Sequence, residues 1–240
     1  MDNVELQIEQ RVNWIKKVVV ESGANGVMLG LSGGKDSAVV AGLCHRAGVK
    51  IYGAYLPIES NSEKDLKFIY PLVEKYNISF NEYSNDDLIP IWKMLAVLTT
   101  SATVPMAAEN IKARLRMTML YALAQSEGLL VVGTGNASEA YVGYFTKWGD
   151  GAHDFNPISD LTVSEVVALG EELGIPDEII HRTPSAGLWE GQTDEQEMGV
   201  TYSDIECVIK SKEVSFNTFV KIKKMHDNTE HKRNAIKTYK

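Results

Sequence analysis

The chain has 240 residues, more than one minimal core needs and less than two full domains usually take, so we expect a single domain over residues 1–240. Its 24 basic and 32 acidic side chains give a net charge of −8, which disfavours nucleic acid as a partner because phosphate binding requires a basic face. Two cysteines cannot form a disulfide framework, and the sequence has no apolar leader and no run of about 20 apolar residues, so it predicts a cytoplasmic protein without a membrane partner.

Hydrophobic spacing along the chain alternates between the periods of helices and strands. In chain order, the predicted elements are a helix at 4–19, a strand at 26–31, a helix at 38–47, a strand at 50–56, a helix at 62–76, a strand at 78–83, helices at 86–98 and 106–127, a strand at 128–133, and helices at 162–173, 205–210 and 214–225. Strands separated by helices require right-handed crossovers. The sequence therefore predicts an α/β fold, a doubly wound parallel sheet flanked by helices.

Two stretches are too long to be simple connections. Residues 134–157 have no hydrophobic period but contain aromatic side chains, which is atypical of disorder. Residues 183–195 are polar and include one proline and two glycines. Because long structureless loops in compact domains are usually functional, we predict that the first stretch forms a site and that the second is a mobile lid.

A glycine turn follows the first predicted strand, with the sequence Gly30-Leu31-Ser32-Gly33-Gly34-Lys35-Asp36-Ser37. Unpaired amides at a helix N-terminus bind anions, and glycines let the backbone approach an oxyanion closely. The turn is not a Walker A loop, since Leu29 stands in place of the first glycine, and it lacks the dinucleotide fingerprint. Asp36 would repel a phosphate unless a cation intervened, which makes it a candidate Mg²⁺ ligand. The alternative is a plain strand-to-helix turn capped by Asp36 and Ser37.

The run from Ser32 to Ser37 resembles the pyrophosphate loop of the PP-loop ATP pyrophosphatase superfamily, whose members cleave ATP between the α and β phosphates. Four further blocks resemble NAD synthetase, in the order of that family, at 110–117, 133–139, 143–154 and 231–233. The resemblance implies an adenine nucleotide alpha hydrolase-like, Rossmann-like fold. It also implies that ATP adenylates the nicotinate carboxylate of deamido-NAD and that ammonia then displaces AMP. The chain has no room for a glutaminase domain before the loop, so the implied form is ammonia-dependent and typically a homodimer.

The resemblance also assigns roles to individual residues. Asp150 is the implied catalytic residue that holds ammonium and accepts its proton, and Asp36 is catalytic through the metal. Asp36 and Glu139 are the implied Mg²⁺ ligands. The implied ATP-binding residues are Gly30, Leu31, Ser32, Gly33, Gly34, Lys35, Asp36, Ser37, Thr134 and Ser185, and the implied substrate-binding residues are Arg114, Lys147, Asp154, His231 and Lys232.

Several of these residues have an ordinary structural alternative. Arg114 fits a surface helix, Thr134 fits a turn cap, and aspartates beside glycine, as at 150 and 154, are common in turns. Residues 231–232 lie in a basic stretch of the kind that usually forms a solvated tail. Helical spacing places Asn110 and Arg114 on one face of a helix and directs Arg116 elsewhere.

The sequence departs from the family at Val163, where a lysine that contacts ATP phosphate is usual. We therefore expect the charge to come from elsewhere, with Lys35 and His181 as candidates. The stretch after Pro57 also lacks the usual glutamine pattern near the adenine. Two other functions stay open, another PP-loop enzyme such as a tRNA-modifying ligase or thiolase, and a non-catalytic adenine-nucleotide-binding protein. The acidic charge and the low cysteine count disfavour the first, while Asp150 and a second metal ligand disfavour the second.

Overall fold

A computed structural model describes residues 3–59, 62–99, 105–183 and 193–239 of the chain. Its centre is a parallel sheet of four strands in the order β3-β2-β1-β4. The strands are β1 (Val27–Gly30), β2 (Ile51–Tyr55), β3 (Ser79–Glu82) and β4 (Leu130–Val131). The register pairs Val27 with Ile51 on one side and with Leu130 on the other. The predicted α/β class and parallel sheet are therefore confirmed.

Helices connect and cover these strands. They are α1 (Asn3–Ser22), α2 (Lys35–Arg46), α3 (Ser62–Lys75), α4 (Asn85–Thr99), α5 (Pro105–Glu127), α6 (Ala137–Val142), α7 (Val163–Glu172), α8 (Asp177–Ile180), α9 (Asp194–Met198), α10 (Tyr202–Ile209), α11 (Phe216–Asn228) and α12 (Glu230–Arg233). A membrane span would need a long apolar helix, and the described part of the chain contains none.

The two faces of the sheet are covered by different helices. Along β1, Val27 and Leu29 join the core formed with α1, α2 and α7, whereas Met28 joins the core formed with α4 and α5. Side chains alternate along a strand, so a strand that is buried on both faces must be hydrophobic throughout. Helices on both faces make the sheet doubly wound, as the sequence predicted.

The main differences from the predicted elements concern helix starts and short helices. Helix α2 begins at Lys35 rather than at 38, so Lys35, Asp36 and Ser37 form its first turn. Helix α10 begins at Tyr202 rather than at 205, directly after a capping box made by Thr201 and Asp204. The short helices α6, α8, α9 and α12 were not predicted, because four to six residues are too few to show a helical period.

The candidate site lies where the strand order reverses. The chain proceeds from β1 outward to β2 and β3, and then returns to β4 on the other side of β1. Ligands of open α/β sheets bind beyond the carboxyl ends of the strands at such a reversal. The segments that follow β1 and β4 meet there, since Asn136 Nδ2 donates to Asp36 Oδ1 at 3.1 Å.

Candidate active site

The pyrophosphate loop, residues 32–37, joins β1 to the start of α2. Gly33 has φ +72°, a left-handed conformation that favours glycine. Gly34 is the N-cap of α2 and provides no side-chain cap, so the first amides of the helix remain available to an anion. Ser37 Oγ donates to Gly34 O at 3.0 Å and lies 3.3 Å from Ser32 Oγ. The loop is therefore built as an anion cradle, and neither Asp36 nor Ser37 serves as the N-cap of α2.

Lys35 is a buried cation beneath this cradle, with only 5% of its surface exposed. Its Nζ lies 3.0 Å from Asp36 Oδ2 and 5.9 Å from the centroid of the Tyr202 ring. Burial alone would lower the pKa of Lys35, but the negative charges of Asp36 and Glu139 outweigh that effect and raise it. Lys35 therefore keeps its positive charge next to the loop.

Glu139 is held opposite Asp36 by the N-terminus of α6. Asn136 N donates to Glu139 Oε2 and Glu139 N donates to Asn136 Oδ1, both at 3.0 Å, which forms a capping box. Asn136 therefore contacts both carboxylates, because its side-chain amide donates to Asp36 and its backbone N donates to Glu139. Burial and the charge of Asp36 raise the pKa of Glu139 well above its usual value, although Lys35 opposes the rise.

The donor set of this carboxylate pair suits Mg²⁺. Mg²⁺ is usually held by one or two carboxylates together with water and substrate phosphates, rather than by a cage of protein ligands. Within residues 3–59, 62–99, 105–183 and 193–239, no group of three or more His, Cys, Asp or Glu side chains could hold a metal ion. A divalent cation held by Asp36 and Glu139 would also offset the repulsion between their charges, which together with burial raises the Glu139 pKa.

Asp150 lies in the second half of the aperiodic segment that the sequence analysis singled out. Its Oδ1 accepts a hydrogen bond from Thr146 N at 2.9 Å. The surrounding protein raises the pKa of Asp150, while the charges of Lys232 and Arg116 act in the opposite direction. Asp150 is nevertheless exposed at the surface. Asp150 also contributes to the raised pKa of Glu139, so its charge acts on the pair of carboxylates formed by Asp36 and Glu139.

Four of the predicted substrate residues meet around residues 143–147. Arg114 Nη2 donates to Lys147 O at 3.3 Å, and Lys147 Nζ donates to His231 O at 2.6 Å. Lys232 Nζ donates to the carbonyls of Gly143 and Phe145 at 2.7 and 2.6 Å. Helices α5 and α12 thus hold this segment from both sides, so 231–232 is a docked part of the fold and not a solvated tail.

Asp154 and Ser185 do not join this group. Asp154 Oδ2 accepts from Val131 N at 2.7 Å, and its Oδ1 accepts from Tyr121 OH at 3.2 Å. The structure therefore gives Asp154 partners on β4 and α5 instead of the cluster around Lys147. Ser185 and most of the predicted lid lie outside the described residues. Thr134 follows β4 at the same sheet edge as the pyrophosphate loop.

Three site residues were missed by the sequence analysis. Asn136 is recognisable afterwards as a helix cap, but its bond to Asp36 spans 100 positions and has no local signal. Arg116, which was expected to point elsewhere, donates to Leu56 O at 2.9 Å and is close enough to shift the Asp150 pKa. Arg182 donates to Gly33 O at 3.1 Å, whereas its neighbour His181 faces Glu171 on the surface.

Val163 has no charged group that could contact a phosphate in the candidate site. Its side chain packs beside Tyr202 and Val142 in a small cluster formed with α10 and α11. The backbone N of Val163 donates to Ser138 Oγ at 3.2 Å, which places the residue next to α6. The usual lysine is thus replaced here by a packing contact.

Comparison with known proteins shows the family of the chain. A family model described as NAD synthase matches residues 7–236. Proteins named NH(3)-dependent NAD(+) synthetase are similar over most of the chain. The one from Carboxydothermus hydrogenoformans is 42% identical over 237 residues and 96% of each chain, and the one from Archaeoglobus fulgidus is 41% identical over 211 residues, 87% of this chain and 84% of that one.

Two solved structures share the fold over the whole chain. The NMN synthetase of Francisella tularensis has a TM-score of 0.92 and 38% identity, and covers 100% of this chain and 99% of its own. The NH3-dependent NAD synthetase of Campylobacter jejuni has a TM-score of 0.82 and 26% identity, with full coverage of both chains.

Proposed function

Because this chain belongs to the NAD synthase family and is an ATP-dependent, amide-forming ligase, we propose that its site makes NAD from deamido-NAD and ammonia in two steps. First, the nicotinate carboxylate attacks the α phosphate of ATP and pyrophosphate leaves. Second, ammonia attacks the acyl adenylate and AMP leaves. The observation that carries the proposal is the meeting of Asp36, Glu139 and Lys35 at the N-terminus of α2.

The pyrophosphate loop is suited to the first step. Negative charge grows on the leaving pyrophosphate, and preorganised amides, the two serine hydroxyls and Lys35 stabilise it. Asp36 and Glu139 would hold Mg²⁺, which supplies charge neutralisation on the phosphates. Arg114 and Lys147 are proposed to orient the dinucleotide, as are His231 and Lys232 on α12.

Asp150 is suited to the second step. Neutral ammonia is the nucleophile, so a carboxylate that binds ammonium and accepts its proton lowers the barrier. Asp150 accepts one proton from ammonium, the resulting ammonia nitrogen forms a bond to the carbonyl carbon, the bond from that carbon to the AMP oxygen breaks, and the second proton passes to solvent. Arg116 and Lys232 favour the ionised form of Asp150 that this role requires.

We extend the proposal to the organisation of the protein. We propose a single catalytic domain that is cytoplasmic, which the two free cysteines support. We also propose a homodimer, supported by an exposed apolar row on α4 that contains Met94, Val97 and Leu98. Light scattering coupled to gel filtration measures the oligomeric state.

Nicotinate mononucleotide is a second candidate substrate. The observation in its favour is the high overlap with a solved neighbour named NMN synthetase, which matches this chain over its whole length. Both compounds carry the same nicotinate carboxylate, so the same adenylation chemistry serves either. The ratio of kcat/KM for deamido-NAD and for the mononucleotide decides between them.

The decisive experiment supplies the purified protein with ATP, Mg²⁺, deamido-NAD and ammonium. We expect AMP, pyrophosphate and NAD in equal amounts. A tRNA-modifying enzyme would make none of the NAD, and a nucleotide sensor would bind ATP without releasing pyrophosphate. Formation of NAD without stoichiometric AMP would contradict the adenylate route.

A further inference from the structure

Arg182 lies between the pyrophosphate loop and α3, although none of the roles assigned above includes it. Its Nη1 donates to Gly33 O at 3.1 Å, and its Nη2 donates to Asp65 Oδ1 at 2.7 Å. One planar guanidinium thus connects the backbone of the loop to a carboxylate on a neighbouring helix. Two parallel contacts of this kind fix the direction of the fork as well as its position.

Two further contacts fix this arrangement, one on Asp65 and one on the guanidinium. Tyr55, the last residue of β2, donates through its hydroxyl to Asp65 Oδ2 at 3.1 Å, so Asp65 is fixed before it receives Arg182. The Arg182 Cζ also lies 4.7 Å from the centroid of the Phe68 ring, a cation–π contact. Arg182 therefore links the loop to β2 and α3 through these contacts.

The contact at Gly33 matters because of the direction of its peptide groups. An anion cradle needs the amides of successive residues to point at the ligand and their carbonyl oxygens to point away. Gly33 achieves this with its left-handed φ of +72°, and a cation on its carbonyl oxygen stabilises that orientation. Arg182 also brings a positive charge to the backbone of the loop.

We propose that Arg182 is a positioning residue for adenylation, which holds the pyrophosphate loop in its anion-binding conformation through the Gly33 carbonyl and is itself oriented by Asp65. The inference rests on the proposed function and adds to it a residue that holds the pyrophosphate loop in the conformation that binds ATP. The Arg182 side chain is 32% exposed, and partly exposed ion pairs contribute little to stability. Its loss should therefore affect the use of ATP more than the folding of the chain.

The test compares Arg182→Gln and Arg182→Lys with the wild-type protein. For Arg182→Gln we expect the KM for ATP to rise about tenfold and single-turnover pyrophosphate release to slow about tenfold, while the KM for ammonium stays within about twofold. Arg182→Lys keeps the charge without the fork, so it should recover part of the loss. The control is Arg46→Gln, which removes an exposed ion pair with Glu5 on α1 and should leave both half-reactions unchanged.

A double-mutant cycle with Asp65→Asn tests whether Arg182 acts through this pair. We expect the effects on the ATP KM to be less than additive, because either substitution alone already breaks the ion pair between Arg182 and Asp65. ATP kinetics of Arg182→Gln that match the wild type would overturn the inference. Equal slowing of both half-reactions, together with a lower melting temperature and no recovery in Arg182→Lys, would also overturn it by making the role structural.

Binding of a non-hydrolysable ATP analogue, measured by calorimetry, separates this inference from the proposed function. Weaker binding by Arg182→Gln supports the positioning role even if the wild-type protein amidates another carboxylate. Unchanged binding and unchanged pyrophosphate release in a protein that makes NAD would reject the role of Arg182 and leave the function standing.

Discussion

Asp36 carries its carboxylate in the first turn of α2, between Lys35 Nζ and Asn136 Nδ2. Replacing it by asparagine keeps the size but removes one of the two charges that we propose hold Mg²⁺. We expect Asp36→Asn to abolish pyrophosphate release, a loss of roughly a thousandfold or more, while the thermal unfolding curve stays close to wild type. The matched control is Asp160→Asn, which removes the exposed carboxylate that pairs with Arg11, outside the candidate site. Turnover near the wild-type rate at saturating Mg²⁺ would contradict the assignment.

Asp150 differs from Asp36 in its partners, which are Thr146 N and the charges of Arg116 and Lys232. If it serves ammonia, Asp150→Asn should slow amidation more than adenylation and raise the ammonium KM, because an amide binds ammonium poorly and accepts no proton. The assay is a single turnover with ATP and deamido-NAD, first without ammonium and then with it. The variant should form adenylate and pyrophosphate at nearly the normal rate and then accumulate adenylate. Equal slowing of both steps, with a loss of thermal stability, would indicate a turn residue instead.

The left-handed backbone of Gly33, in the loop that joins β1 to α2, can be tested by substitution with alanine. Gly33 and Gly23 have nearly the same φ, +72° and +70°, but their surroundings differ. A Cβ at Gly33 would lie 3.0 Å from Asp65 O and 3.1 Å from Arg182 Nη1, whereas a Cβ at Gly23 would meet nothing within 4 Å. Both alanine variants should lose about 1–2 kcal/mol to the left-handed backbone. Only Gly33→Ala should also weaken ATP binding, and an equal effect of Gly23→Ala on ATP binding would reject the crowding argument.

Most of the regular elements could be predicted because their residues carry a clear period. In β1 the alternation of Val27, Met28 and Leu29 between two cores leaves an unbroken apolar run that is readable as a buried strand. The start of α2 was predicted three residues late, because Lys35, Asp36 and Ser37 do not continue the apolar pattern. These residues adopt helical backbone while their side chains serve the site. The start of α2 therefore cannot be found from the hydrophobic period, because its first three residues are polar.

The candidate site was only partly predictable, for a related reason. Asp36 stands out locally, as a carboxylate inside an anion-binding turn. Its link to Asn136 and the link from Arg182 to Asp65 join residues 100 and 117 positions apart, and no local pattern signals such pairs. Glu139 and Asp150 were identified through a family resemblance, since a single acidic residue in a loop is otherwise unremarkable.

At the level of the whole molecule, the source of nitrogen is the property to test. The similar proteins are named NH(3)-dependent, and the described residues form one α/β unit around a single parallel sheet. We expect ammonium salts alone to support NAD formation and glutamine alone not to. The measurement follows NAD with each nitrogen source after enzymatic removal of traces of ammonia. Synthesis from glutamine by the purified chain would contradict the expectation.

The contacts of α12 with residues 143–147 have a consequence for the protein while it is being made. A ribosome produces the pyrophosphate loop early and Lys232 late, yet the carbonyls of Gly143 and Phe145 depend on Lys232 for their partner. In a growing chain, the segment before Asp150 therefore gains these two hydrogen bonds only after α12 has been made. We therefore expect amide formation to require a chain that has been synthesised through α12.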